Sequence, residues 1–375
     1  MSKARRSEAL GLRSTSTRTL DYLAWSTLQL STVTQGLLRM GFDIIGHYED
    51  KPNGLMAHLF NQNDIRFWVS QWLPAVGKKG RGVANFASNH GTAISALALR
   101  VTQIYRATLQ ACGEGWRVTN VPKSFFHAKG KLERSTLQAK EDLRLVFLRR
   151  DGDLWFPEIP SISIPHSSHD AGILSLSFLV YLSATDPQRD KTGFDTHQNL
   201  WSAAWNAKST LAPSRTWKCI TSYPHLGYAS KKPPASSLSQ PLTNRPFYFI
   251  YPAAENPPHL GESILSDFLE MHHGPGIAIV GFYVSSIPQA LAHCLLSPTQ
   301  VSRIETISLA SHTLSLSSKG SPSSDGRLCL VRFPWTSVLF GLLEAPPTTS
   351  VSSQDALTNT LGILCQRSAW KSKLQ

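Results

Sequence analysis

Acidic residues are scarce in this chain, cysteines are scarcer, and no long apolar run interrupts it. Twenty-five Asp and Glu stand against 37 Lys and Arg, a formal net charge of +12 over 375 residues. The five cysteines (Cys112, Cys219, Cys294, Cys329 and Cys365) are odd in number, scattered and free of any CxxC pair. That usage argues against a disulfide framework and a zinc ribbon, and it suits a reducing compartment. No run of eighteen apolar residues occurs, so no membrane span is expected. Gly-x-Ser-x-Gly and His-Glu-x-x-His do not occur, and the basic loop VGKKGRG (76–82) lacks the P-loop spacing. It reads as a solvated loop.

What is present is globular: 41% of the residues are apolar, enough for one large or two medium domains to bury a core. The positive charge is spread along the chain or gathered in its first residues, with no aromatic–basic ladder beside it. Solubility and loose attraction to polyanions account for it better than specific nucleic-acid binding. A polyanion or nucleic-acid binder remains a further alternative, one that a salt-insensitive binding constant would exclude. Residues 1–18 hold Lys3, Arg5, Arg6, Arg13 and Arg18 against Glu8. This composition fits an ordinary disordered tail and also a mitochondrial transit peptide. A cytoplasmic location is expected, with mitochondrial as the alternative.

Hydropathy patterning gives an alternation of short strands and helices. TLDYLAWS is strand-like, Leu30 to Met40 has helical spacing, and Gly41 closes that helix. Strands are expected over 42–49, 54–60 and 64–70, with a tight turn at Asn61 to Asn63. A strand over 94–101 precedes a helix over 102–113, and a strand over 142–152 ends this half. FPEIPSISIP (156–165) reads as a linker and KKPPASSLSQPLTN (231–244) as a surface insertion. A second series opens with a strand over 172–183 and ends near Glu344. One helix is expected around 355–364.

Certain stretches carry a resemblance. They are Arg39-Met40-Gly41-Phe42, the strand pair around Gln62 to Phe67, Asn89-His90-Gly91 with the strand Ala96 to Val101, and Asp267-Phe268-Leu269 through Gly274-Pro275-Gly276-Ile277. The last is Arg327 to Glu344. In order and spacing they resemble the 4-hydroxyphenylpyruvate dioxygenase family of the vicinal oxygen chelate group. The resemblance covers most of the chain and fades between about Lys123 and Arg245. It implies an α+β fold of two tandem vicinal-oxygen-chelate domains, each of paired βαβββ modules forming an open barrel. The expected boundaries are a basic tail at 1–18, an N-terminal domain at 19–155 and a linker at 156–171. A C-terminal domain at 172–345, the ancestral catalytic barrel, and a tail at 346–375 follow.

The resemblance also implies Fe(II) held by two histidines and a glutamate in the C-terminal barrel. Here Phe178 and Ile279 fall at the two histidine positions, and Glu344 at the glutamate. Ile277, Ile279, Gly281 and Tyr283 are expected to share one strand face. Three polar substrate-binding positions of the family read Ala254, Ile264 and Val331. His166 and His169 stand off register in the linker. His272 and His273 sit at a helix C-terminus, where the dipole favours them without a metal. His225, His259 and His293 would reach a site only by unforeseen geometry.

These losses point to a homologue without cofactor, binding a small molecule or a protein partner, with homo-oligomerisation open. The alternative is an active Fe(II) dioxygenase converting 4-hydroxyphenylpyruvate to homogentisate in tyrosine breakdown. In either case Phe178, Ile279 and Glu344 are expected to converge inside the second barrel.

Overall fold

The computed structural model describes residues 18–63, 65–73, 79–113, 116–127, 130–138, 143–152, 172–182, 207–210, 217–222, 247–252, 264–295, 305–308 and 327–344. The linker, the insertion at 231–244 and the helix expected at 355–364 lie outside them.

The first half runs β1 (Arg18–Thr27), α1 (Leu30–Arg39), β2 (Asp43–Asp50), β3 (Leu55–Gln62), β4 (Ile65–Trp72), α2 (Lys79–His90), β5 (Ala93–Val101), α3 (Ile104–Gly113), β6 (Arg117–His127), β7 (Gly130–Gln138) and β8 (Arg144–Gly152). Its eight strands form one curled mixed sheet in the order β2-β3-β4-β1-β5-β8-β7-β6. The centre is the antiparallel pair β1/β5, flanked by the parallel pairs β1/β4 and β5/β8. The second half runs β9 (Ile173–Leu182), β10 (Ala207–Thr210), β11 (Trp217–Ser222), β12 (Phe247–Pro252), α4 (Ile264–His272), β13 (Gly276–Val284), α5 (Ile287–Leu295), β14 (Glu305–Ser308), β15 (Arg327–Arg332) and β16 (Leu339–Glu344). Its sheet order, β10-β11-β12-β9-β13-β16-β15-β14, repeats the first with every index advanced by eight.

Local chemistry explains the elements. On α1, Leu30, Val33 and Leu37 are buried at helical spacing. The helix stops where Gly41 takes φ 84° and Phe42 N–H donates to Leu37 O, a left-handed C-terminal motif that glycine adopts without steric cost. The two sheets meet through their helix-bearing faces in one apolar core. Trp25 of β1 stacks on Phe340 of β16 (ring centroids 5.9 Å apart), and Phe42 packs edge-on to Phe282 of β13. The inner face of the first sheet has its own cluster, including Tyr22, Ala24, Ala98 and Leu148.

Two expectations are corrected. Residues 76–82 are not all loop, because α2 begins at Lys79. Its register is set by Val83, Phe86, Ala87 and His90, buried at i, i+3, i+4 and i+7, which overrides the low propensity of Gly80 and Gly82. The first half also contains β6 and β7, which the hydropathy pattern did not reveal. No helix among the described residues is long and apolar enough to cross a membrane.

Candidate functional site

The candidate site is the inner face of the second sheet, at the central pair β9/β13. Phe178 and Ile279 are both fully buried, on adjacent antiparallel strands. The register pairs Phe178 with Gly281 and Val180 with Ile279. Gly281 is glycine for a visible reason: a Cβ there would clash with Cε1, Cδ1 and Cζ of the Phe178 ring. On the far side β13 runs parallel to β16, pairing Ile279 with Leu339 and Gly281 with Gly341. Phe178, Val180, Ile279 and Leu339 therefore cover this face with hydrocarbon.

The face assignment depends on irregularities. Between Ile277 and Ile279 the register against β9 slips, leaving Ala278 as an extra residue. Ile277 pairs with Tyr181 and joins Val280 and Phe282 in the inter-sheet core. The expected common face of Ile277 with Ile279, Gly281 and Tyr283 is thus corrected, since the bulge turns Ile277 to the other side.

Glu344 is not brought to Phe178 and Ile279. Phe340 and Leu342 of β16 lie in the inter-sheet core, and two residues further on Glu344 shares their face. It pairs in register with Val284, itself a core residue. Its Oε2 accepts a hydrogen bond of 3.4 Å from Ile287 N–H at the start of α5. A carboxylate suits that position, where backbone donors at a helix N-terminus lack intrahelical partners. The expected convergence of three positions is therefore a convergence of two.

The remaining expectations are placed as follows. Val331 pairs with Phe340 and belongs to the inter-sheet core, away from the inner face. Ile264 opens α4. Ala254, His166, His169, His225 and His259 lie outside the described residues. His293 is on α5. His273 is exposed and takes φ 52° in the turn after α4.

His272 does more than complement a helix dipole. Its buried ring stacks between Phe268 (4.7 Å) and His90 (4.6 Å), and His90 Nδ1 lies 2.8 Å from His272 O. Gly276 makes room for it, because a Cβ there would come within 2.5 Å of the imidazole. His90 ends α2 and His272 ends α4, so the two Gly-flanked helix ends clasp one another across the halves. The Asn89-His90-Gly91 and His272-His273-Gly274 stretches were the signal for this clasp.

Fe(II) in the implied arrangement needs three donors on one face. At two of those positions stand a phenyl and a butyl group, which have no lone pair, and the carboxylate of the third faces α5. Among the described residues no group of three or more His, Cys, Asp and Glu is placed to hold a metal. The residues at the implied positions do not fit this ion.

No protein-family profile matches the sequence, and no curated protein matches it. Solved structures do. A variant of 4-hydroxymandelate synthase from Streptomyces coelicolor superposes with TM-score 0.62 at 12% identity, over 92% of this chain and 98% of the synthase. A fusion of a xylose isomerase-like TIM barrel with a 4-hydroxyphenylpyruvate dioxygenase gives TM-score 0.56 at 12% identity, over 96% of this chain and 56% of the fusion. This chain spans little more than half the length of that fusion. Two curled sheets of identical strand order, matched at this level, give the chain the fold that these two structures share, at an identity that speaks for fold alone.

Proposed function

We propose that this chain is a 4-hydroxyphenylpyruvate dioxygenase-like protein of two tandem vicinal-oxygen-chelate domains that has lost the Fe(II) site of its C-terminal barrel. It acts without redox chemistry, as a binding protein for a small molecule or a protein partner. One observation carries the reading: Phe178 packs across Gly281 beside Ile279, where the resemblance places two imidazoles. A histidine-to-hydrocarbon change at one position would weaken a metal site. Here two coincide with a glycine that accommodates the new ring, so the replacement is built into the packing. The carboxylate that could have remained is engaged at the α5 N-terminus instead.

The test is elemental analysis of protein purified in the presence of Fe(II), joined to oxygen uptake with 4-hydroxyphenylpyruvate. Substoichiometric iron and no oxygen uptake above a protein-free control are expected. Stoichiometric iron with turnover to homogentisate would refute the reading and restore the active dioxygenase.

A further inference from the structure

On the inner face of the first sheet, basic side chains outnumber acidic ones among the described residues. Asp21, at a register slip on β1 between Leu20 and Tyr22, is buried, its side chain 1% exposed. Its two oxygens meet the guanidinium of Arg150 on β8, at 2.6 Å from Oδ2 and 3.2 Å from Oδ1; that side chain is 5% exposed. This pair alone neutralises the buried carboxylate. Two further arginines nevertheless lean on the same oxygen. Arg100 of β5 lies at 3.0 Å and Arg66 of β4 at 3.7 Å, with side chains 48% and 20% exposed. Arg66 Nε also donates to Asn61 Oδ1.

Arg134 on β7 adds to this end of the face, stacked on the Phe125 ring at 5.3 Å. It is close enough to Tyr22 to oppose the burial that pushes that phenol up to about 12. Among the described residues, Arg134, Arg150, Arg100 and Arg66 stand against Asp21 and, at the sheet edge opposite Asn61, Asp43. The excess is local rather than a reflection of a basic chain. On the opposite face of β7 and β8, Lys131 and Arg149 are matched by Glu133 and Asp151. Guanidinium groups remain charged at any physiological pH, so clustered ones repel unless an anion joins them.

We propose that this face binds a small molecule through a carboxylate or phosphate group seated between Arg66 and Arg100, above the buried Asp21–Arg150 pair. Planar forked donors suit either oxyanion, and the partial exposure of both arginines gives the anion access. The site lies in the N-terminal half and stands apart from the Phe178/Ile279 face.

The test is calorimetric titration of the full chain with inorganic phosphate and, separately, with benzoate, at an ionic strength held constant with chloride. Saturable binding of at least one is expected, and the stronger of the two identifies the head group. The Arg66→Gln/Arg100→Gln double variant should weaken that binding at least tenfold, whereas Arg149→Gln, on the opposite face, should change it less than twofold. Circular dichroism checks that each variant is folded. Should the double variant not fold, Arg100→Gln alone, at the most exposed of these arginines, should weaken binding at least threefold. Absence of saturable binding by both anions would overturn the proposal. So would affinity indifferent to these substitutions, or retention of heparin alone.

Discussion

The Phe178 ring occupies the space that a side chain at Gly281 would need. The two residues face each other across β9 and β13, so their sizes are coupled. Gly281→Ala is expected to destabilise the protein by about 1–3 kcal/mol through overpacking. Phe178→Ala, which empties a fully buried position, should cost about 3–5 kcal/mol. In the Phe178→Ala background the added methyl of Gly281→Ala should be neutral or favourable. Urea denaturation of the four proteins gives the coupling directly. Additive losses would show that the ring moves aside.

Glu344 contributes to stability through α5. Ser286 Oγ accepts from Gln289 N–H at 3.5 Å and Glu344 Oε2 from Ile287 N–H at 3.4 Å, so the helix start has two side-chain acceptors. Glu344→Ala should lower unfolding free energy by about 0.5–1 kcal/mol, the size of a cap or dipole contact. Iron content should be the same in both proteins. A fall in bound iron on this substitution would return Glu344 to the role of a ligand.

How far the sequence was legible depended on whether a strand shows one face to water. The helix, glycine corner and strand from Ile264 to Val284 could be read because His272, Gly274 and the apolar run mark their own boundaries. The position of Glu344 could not. Val338 to Leu342 are buried on both faces, so no polar–apolar alternation showed which side the next residue takes. Ile277 was misplaced because a bulge at Ala278 leaves no trace in composition. β6 was unread for the opposite reason. It is an edge strand with Pro122 near its register slip and with Val121 and Phe126 more than two-thirds exposed, so it lacks a buried stripe. The arginine cluster around Asp21 joins β1, β4, β5 and β8, positions far apart in sequence. Only topology brings them together.

Trp335, in the second half, packs its indole on Gly36 of α1 in the first, where a Cβ would come within 2.6 Å of the ring. It also sits 6.0 Å from Trp25 and 5.8 Å from Phe340. In an exposed helix Gly→Ala stabilises by roughly 1 kcal/mol. Here the contact reverses the sign, and Gly36→Ala should destabilise by about 1–3 kcal/mol. Trp335→Ala should make Gly36→Ala stabilising again. If Gly36→Ala stabilises the wild type, the halves do not meet at this point.

His58 gives the protein a specific acid sensitivity. Its imidazole is partly buried on β3, 5.0 Å from the His47 ring and 3.0 Å from Thr34 Oγ1. Burial, and secondarily the neighbouring His47, lower its pKa from 6.5 to about 4. The unfolded chain therefore takes up a proton at a pH where the folded chain does not. The resulting stability is complete above pH 6.5 and lost as pH falls from 6.5 to about 4. Solvent reaches this side chain, so the effect is discounted to about 1–2 kcal/mol. His58→Gln keeps a neutral hydrogen-bonding partner for Thr34 and should lose that much less stability between neutral and acid pH, followed by urea unfolding. Equal losses in both proteins would place the acid-sensitive group elsewhere.

The buried ion pair below the proposed anion site predicts unequal mutational costs. Removing the Asp21 charge leaves Arg150, its side chain 5% exposed, without its opposite charge. Burial already lowers the pKa of that guanidinium, and Asp21 is the leading influence that holds it up. Asp21→Asn should therefore destabilise the protein by about 3–5 kcal/mol. Arg100 touches the same carboxylate, yet its side chain is 48% exposed, so Arg100→Gln should cost no more than about 1 kcal/mol. The contrast separates the two roles assigned to this cluster: Arg150 holds Asp21 within the fold, while Arg100 serves what binds there. Comparable losses from the two substitutions would mean that Arg100 is part of the structural pair, and the case for an anion above it would fail with that result.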